Sequence, residues 1–429
     1  MRSSTRHAIT TESQRWVDAN IITQQQAEQI RALYPHDSGS RGHGLLTILG
    51  YGFIALAVIT LIGANWDEIP RALRMLGVIA VTLATQGLAL QRLWQGRRES
   101  AVALFFLGNM FYGASIILIA QIYHLGEHMP NGVLAWALGC APFALLLREP
   151  WLMLQTLLLA MLWAGLQIGF GYDIFLFPAF LAATLYVLNQ SRGSRPLFLL
   201  FIVSLLAWLN YLLLKSWGQD YLDPEVELCF FNGALLLAMS ALGVRLRALG
   251  SEQEPKNAHY GAILLNLSSL ALMVVLLVMT FLGPWEELLD AQWLHPYALT
   301  VLVVLLGAAA IYLLRGHAAL PAMAAIIATY VVTMLAVLLS RNAEHALLFQ
   351  IVMNLLFVAL GIVLLWHGLR SGSSRAFKLG LGSLLLIAYV RYFDLVGNYV
   401  GAAALFLVFA LLMLGAAQFW KRLHGRVSQ

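Results

Sequence analysis

The chain has 429 residues, of which 60% are hydrophobic and only 11% are charged. A soluble domain carries about 25% charged residues, so a chain this apolar lacks the polar surface of a soluble globular protein, and lipid must be its solvent. The formal net charge of +5 is small and spread along the chain, which argues against a nucleic-acid partner because such proteins concentrate their positive charge.

The first 44 residues are polar and predict a short soluble helical hairpin followed by a flexible tether. Thr11 with Gln14, and Thr23 with Gln26, have the spacing of a capping box at a helix start. A pair of helices this small has no stable core of its own, so we expect it to dock on the membrane domain or on a partner. One apolar seam is predicted to join the two helices: Val17, Ile21, Ile22, Ala27, Ile30 and Leu33.

Apolar segments long enough to cross roughly 30 Å of hydrocarbon recur along the rest of the chain. The predicted fold is therefore an all-α polytopic integral membrane protein with about fourteen transmembrane helices. The crowded segments between 132 and 190 leave twelve as the alternative. The segments cover approximately residues 45–64, 72–91, 101–121, 132–147, 151–169, 174–190, 197–214, 228–244, 260–282, 297–314, 320–339, 346–368, 379–395 and 400–419.

The distribution of Lys and Arg predicts the orientation of these segments. If the N-terminal residues are cytoplasmic and the segments alternate in direction, 21 of the 26 basic residues fall on the cytoplasmic side, as the positive-inside rule requires. Both termini are then cytoplasmic and the number of spans is even. The predicted domains are a cytoplasmic hairpin and tether at 1–44, a transmembrane domain at 45–420 and a basic cytoplasmic tail at 421–429.

The turn GANWDEIP, residues 63–70, separates the first two predicted spans on the extracytoplasmic side. Trp66 suits the membrane interface, Asp67 has a residue type that caps helices, and Glu68 would lie in the positive first helical turn. Arg71 follows Asp67 by four residues, so the two side chains would share a helix face. A structural turn explains these residues, and the alternative is a binding or catalytic site formed by them.

The stretch AYVRYFDLVG places two opposite charges near the extracytoplasmic end of the thirteenth predicted span. Arg391 and Asp394 are three residues apart and would share one helix face. Ionisable residues within a span are costly and suggest function. The pair is either an ion pair that fixes helix packing or a gate or anion site built on Arg391.

The stretch QIYHLGEHMP holds weak candidates for a metal site. His124 and His128 are four residues apart with Glu127 beside them, and the order H-x-x-E-H also matches a reversed zinc-protease pattern. Gly126 and Pro130 indicate a turn rather than the regular helix that this pattern needs. We therefore expect a solvated loop, and we predict neither a metal nor another cofactor.

Acidic residues concentrate in the predicted extracytoplasmic turns, which hold 13 of the 21 acids. The densest stretches are GQDYLDPEVE and GPWEELLDAQW. Such turns could receive a cation or a sugar, but interfacial helices that keep the outer face soluble explain them equally well. Amides within the predicted spans are expected to form hydrogen bonds between helices: Asn109, Gln155, Gln167, Asn210, Asn232, Asn266 and Asn354.

Three stretches resemble bacterial multi-pass membrane proteins catalogued as domain of unknown function 2157: RWVDANIITQQQAEQI, LIGANWDEIPRALRMLG and GNMFYGASIILIAQIYHLGEHMPNGVLAWAL. The resemblance covers roughly residues 14–150, and GLRSGSSRAFKLGLGSLLLIAYVRYFDL, near 368–396, is similar to a segment of such proteins. The resemblance implies a helical pair followed by many spans in a bacterial inner membrane. It implies no reaction, ligand or catalytic residue.

Three classes of function fit this sequence. Few charges line the spans, so a transporter or flippase would move a lipid or a small neutral solute rather than an ion. A membrane scaffold or sensor would dock a cytoplasmic protein through residues 1–34. A membrane enzyme would use the acidic outer turns, but the sequence shows no phosphate loop, nucleotide fingerprint or G-x-S-x-G nucleophile elbow.

Overall fold

The structure, a computed structural model, describes residues 13–14, 16–19, 21–32, 69–123, 129–191, 193–218, 224–250, 255–340, 342–372, 374–395 and 407. The regular secondary structure of these residues is helical, without a strand. The predicted all-α class is therefore confirmed, and the chain is a multi-pass membrane protein.

Every apolar segment predicted between 72 and 395 contains a helix. The helices are α1 (Gln24–Ala32), α2 (Arg71–Trp94), α3 (Arg98–Tyr123), α4 (Met129–Leu147), α5 (Pro150–Gly169), α6 (Phe177–Gln190), α7 (Arg195–Trp217), α8 (Glu225–Leu249), α9 (Pro255–Val278), α10 (Gly283–Asp290), α11 (Pro296–Leu313), α12 (Leu320–Ser340), α13 (Ala346–Ser371) and α14 (Ser374–Leu395). Among the described residues, ten helices are long and apolar enough to cross a membrane. The first and last predicted spans fall almost wholly outside the described residues, so the total of fourteen stays a prediction.

Contacts at the two ends of α7 agree with the predicted alternation of direction. Lys215, near the end of α7, forms a 2.7 Å ion pair with Asp173, which precedes α6. Ser194, just before α7, donates its backbone N–H to the hydroxyl of Tyr260 near the start of α9, at 3.0 Å. Helix α6 has only 14 residues, about 21 Å at 1.5 Å per residue. The chain nevertheless runs from Asp173, beside the end of α7, to Gln190, just before the start of α7, because residues 173–176 precede the helix.

Close approach of α8 and α9 shows how these apolar helices pack. Ser240 and Ser268 share a hydrogen bond of 2.9 Å across the two helices. A Cβ atom on Gly243 would lie 2.9 Å from the backbone nitrogen of Leu265, so only glycine permits this separation. Small residues and hydroxyl hydrogen bonds are the usual means of helix association in lipid, where burial of apolar surface supplies little driving force.

The N-terminal hairpin confirms one prediction and corrects another. The Thr23 backbone N–H donates to Gln26 Oε1 at 2.9 Å, and the Gln26 N–H donates to Thr23 Oγ1 at 3.3 Å, as in a capping box. The predicted seam holds for Ala27, which is buried, but Ile21 is 69% exposed. The Ile21 N–H donates to the carbonyl of Trp16, so Ile21 lies in the turn, where helical periodicity does not apply. Ile30 and Leu33 have side chains outside the described residues.

The predicted orientation can be tested with single cysteines in a background lacking Cys140 and Cys229, which are both free thiols. Glu286→Cys on α10 should react with a membrane-impermeant thiol reagent in intact spheroplasts, because this exposed residue is predicted to be extracytoplasmic. Arg97→Cys, between α2 and α3, should be protected until the membrane is permeabilised. The reverse pattern would contradict the predicted orientation, and equal labelling would contradict the predicted alternation.

Candidate functional site

The first predicted site falls only partly within the described residues. Arg71 is the first residue of α2 and is exposed. The carbonyl of Pro70 accepts hydrogen bonds from the N–H groups of Leu73 and Arg74, which makes Pro70 the residue at the cap position. The helix thus begins later than a cap at position 67 requires. The other three residues of this predicted site lie outside the described residues: Trp66, Asp67 and Glu68.

The weak metal candidates His124, Glu127 and His128 also lie outside the described residues. In the part of the chain that the structure describes, no group of three His, Cys, Asp or Glu side chains could hold a metal ion. A metal site formed by His124, Glu127 and His128 stays an alternative interpretation of the sequence.

Arg391 contacts the end of another helix. Its guanidinium donates to the carbonyl of Thr280 and lies 5.1 Å from the centroid of the Phe281 ring. Asn354 Nδ2 donates to the same carbonyl at 3.0 Å. The side chain of Asp394 is outside the described residues, so the predicted Arg391–Asp394 contact stays a prediction.

The position of Thr280 explains why a cation is stable there. Helix α9 ends at Val278, and Thr280 follows two residues later, so its carbonyl lies close to the negative end of the helix dipole. Arg391 supplies both a donor and a positive charge at this point. The contact thereby connects α14 to the end of α9, which favours the packing interpretation of Arg391 over an anion site.

Three amides form a hydrogen-bonded chain across α2, α3 and α5, which we call the amide relay. Gln86 Nε2 donates to Asn109 Oδ1 at 3.2 Å, and Asn109 Nδ2 donates to Gln155 Oε1 at 3.1 Å. Gln155 Nε2 then donates to the carbonyl of Phe106 at 3.2 Å. Asn109 is 1% exposed and Gln155 5%, so the relay confirms the predicted hydrogen bonds between helices at these positions.

The stretch GNMFYGAS on α3 provides the space around the relay. The Trp136 indole N–H donates to the backbone carbonyl of Asn109 at 2.7 Å. A Cβ atom on Gly113 would lie 2.0 Å from the Trp136 ring, so the indole occupies the space that glycine leaves. Thr82 and Ser115 share a 2.9 Å hydrogen bond one turn further along. These glycine and polar residues thus serve to pack α2, α3 and α4 around the relay.

The Gln86 end of the relay carries a hydrogen-bond acceptor to which no group of the described residues donates. Gln86 Oε1 is buried and has no hydrogen-bond partner, whereas every hydrogen bond of the relay runs from Gln86 towards Phe106. Aligned amides polarise one another, which strengthens the acceptor at the open end of such a chain. An unpaired buried acceptor within a membrane span is costly. Gln86 Oε1 is therefore the position at which a hydrogen-bond donor from outside the protein would be stabilised.

Glu227 forms a second buried polar centre, at the start of α8. It is fully buried, and it is the only acidic or basic side chain that is buried in the part of the chain described. Its Oε1 atom accepts from the backbone N–H groups of Leu294 and His295, at 2.6 and 2.8 Å. These donors precede α11, which begins at Pro296, so the carboxylate sits at the positive end of that helix. The Oε2 atom is buried without a partner.

Aromatic residues lie close in sequence to Glu227 on α8 and to its two N–H donors in the segment before α11. Phe230, one turn after Glu227, stacks on Trp293 with centroids 5.5 Å apart, and the Tyr330 hydroxyl donates to the Phe230 carbonyl at 2.5 Å. Trp293 Nε1 is also buried without a partner. In the sequence, Glu227 is one of thirteen similar predicted outer acids, and no local pattern distinguishes it, because its partners lie more than sixty residues away.

Other predicted outer acids have surroundings of a different kind. On α10, Trp285, Leu288 and Leu289 are buried, whereas the three acids of the opposite face, Glu286, Glu287 and Asp290, are exposed. This pattern agrees with the predicted interfacial helix. Asp173 accepts hydrogen bonds from Lys215 and Tyr211, which hold the pKa of its carboxyl below the usual value. Glu227 alone among these acids is buried without a protein cation, within the described residues.

Comparison with known proteins bears on the first third of the chain. Residues 14–153 match the model of a family described as predicted membrane protein (DUF2157), which confirms the resemblance over that stretch. The matched residues include Gln86, Asn109 and Trp136. No curated protein and no solved structure matches the chain. The resemblance near 368–396 and the bacterial inner-membrane location stay predictions.

Proposed function

We propose that this multi-pass membrane protein is transporter- or flippase-like and moves a small neutral solute or a lipid. The observation that carries the proposal is the open acceptor at Gln86 Oε1, at the end of a hydrogen-bonded relay inside membrane-spanning helices. A relay of uncharged amides binds hydroxyl and amide groups without the cost of burying an ion.

The charge of the relay sets the class of substrate. Gln86, Asn109 and Gln155 are neutral, and a charged substrate in lipid needs a compensating charge. A polyol, or the hydroxyl-bearing headgroup of a lipid, needs only donors and acceptors. Such a ligand would donate to Gln86 Oε1 and extend the relay by one hydrogen bond.

Substitution of Gln86 tests the proposal in liposomes containing the purified protein. Gln86→Leu removes the open acceptor, together with the Nε2 donor to Asn109 Oδ1, and keeps a similar side-chain volume. Loss of one hydrogen bond worth about 0.5–1.4 kcal/mol predicts roughly two- to tenfold slower transfer. Polyol entry would be followed by light scattering after an osmotic jump, and lipid transfer by quenching of a fluorescent lipid in the outer leaflet.

Thr329→Val is the matched control, because Thr329 is an exposed residue of α12 whose hydroxyl donates to the Ala325 carbonyl of its own helix. It should leave both transfer rates unchanged. If wild-type protein moves neither probe faster than protein-free liposomes do, or if Gln86→Leu matches wild type, the relay has no part in transfer.

A scaffold or sensor is the second candidate, and the hairpin favours it. Trp16 is 39% exposed and Ile21 is 69% exposed, so the hairpin presents apolar surface to a partner in the cytoplasm, the side where we predict it lies. The two functions differ in the liposome measurement, since a scaffold has no transfer for Gln86→Leu to slow.

A further inference from the structure

We propose that Glu227 is a ligand in a binding site for a monovalent metal cation at the end of the membrane domain where α8 begins. The inference rests on the half-satisfied carboxylate of Glu227 and does not depend on the proposed transfer of a neutral molecule. The two centres share no residue.

The carboxylate of Glu227 is only partly stabilised by its surroundings. A buried carboxylate is stable only when paired or fully hydrogen-bonded. The two N–H groups before α11 and the helix dipole stabilise Oε1. Oε2 has neither a hydrogen-bond donor nor a cation, and Glu227 forms no ion pair within the described residues. One negative charge is thus only partly compensated.

Glu227 differs from Asp173 in lacking a counter-charge within the described residues. Both acids are predicted to lie at the same membrane face, and both accept hydrogen bonds from a segment remote in sequence. Asp173 has Lys215 at 2.7 Å as its counter-charge, in a partly exposed position. Glu227 is fully buried, where an uncompensated charge costs more. The missing counter-charge at Glu227 is what a bound cation would supply.

The single carboxylate of Glu227 limits the kind of cation that could bind there. Divalent ions such as Ca²⁺ are bound by several carboxylates or other oxygen ligands, and the described residues contain no group of three His, Cys, Asp or Glu side chains that could hold such an ion. A single carboxylate balances a single positive charge. A monovalent alkali ion therefore fits these surroundings.

The test measures the thermal stability of the purified full-length protein in chloride salts of Li⁺, Na⁺, K⁺ or Rb⁺, with N-methylglucamine keeping the ionic strength constant. One alkali ion should raise the Tm saturably by about 3 °C or more relative to N-methylglucamine. In Glu227→Gln, which keeps an oxygen acceptor for the two N–H groups but carries no charge, this rise should vanish. Glu286→Gln on α10 is the matched control and should keep it.

Binding of radioactive Na⁺ or Rb⁺ to wild-type protein gives a measurement that does not require a folded variant. We expect about one ion per chain, displaced by the same alkali ion that raises the Tm, with the conservative Glu227→Asp lowering the affinity at least about tenfold because a shorter side chain moves the ligand. Equal salt responses in wild type and Glu227→Gln, or no saturable ion binding to wild type, would overturn the proposal and leave Glu227 as a helix cap.

Discussion

Asn109→Leu should lower the free energy of unfolding by about 2–5 kcal/mol, because it leaves two buried amide groups without partners. Asn109 accepts from Gln86 and donates to Gln155. Leucine does neither, so Gln86 Nε2 and Gln155 Oε1 each lose a hydrogen bond at a position where Asn109 and Gln155 are buried. The loss should appear in detergent micelles as a lower midpoint of unfolding in SDS.

Asn266→Leu is the matched control for this change. Asn266 lies on the membrane-spanning helix α9, but its side chain is exposed, contrary to the prediction that it faces a neighbouring helix. Replacing an exposed amide in a span should be neutral or mildly stabilising, because leucine suits lipid better. Equal losses for Asn109→Leu and Asn266→Leu would show that the relay contributes nothing specific.

The sequence predicted the helices well because their cause is local. Segment length follows from the thickness of the membrane, and the capping box at Thr23 and Gln26 follows from spacing within one turn. Predictions that used helical periodicity failed where no regular helix exists, as at Ile21 in the turn. The prediction that Asn266 bonds to a neighbouring helix was wrong for another reason, since the sequence does not show which face of α9 contacts a neighbour.

The sequence predicted that Asn109 and Gln155 form hydrogen bonds between helices, but it could not identify their partners or those of Glu227, because these partners are remote in sequence. Gln155 meets Asn109 46 residues away, and Glu227 meets Leu294 67 residues away. The sequence shows Glu227 and Glu286 as similar acids near apolar runs. Glu227 is buried where α8 packs against the segment before α11, whereas Glu286 lies on the exposed face of α10.

Arg391→Met should lower the free energy of unfolding by about 2–4 kcal/mol, the sum of one hydrogen bond from a charged donor and a cation–π contact. Methionine preserves much of the apolar stem but cannot donate to the Thr280 carbonyl or hold a charge over the Phe281 ring. Arg391→Lys should recover only part of the loss, since an ammonium lacks the planar fork of the guanidinium. Unfolding in SDS measures all three proteins.

Double-mutant cycles then identify the partner of Arg391. Asn354 donates to the same Thr280 carbonyl, so either donor alone satisfies this buried acceptor, and loss of both leaves it unpaired. Arg391→Met with Asn354→Leu should therefore cost more than the sum of the single changes, by at least about 0.5 kcal/mol. If the sequence-predicted pair with Asp394 dominates instead, Arg391→Met with Asp394→Asn should cost less than Arg391→Met alone, because the double change leaves no unpaired charge. Strict additivity in both cycles would contradict both assignments.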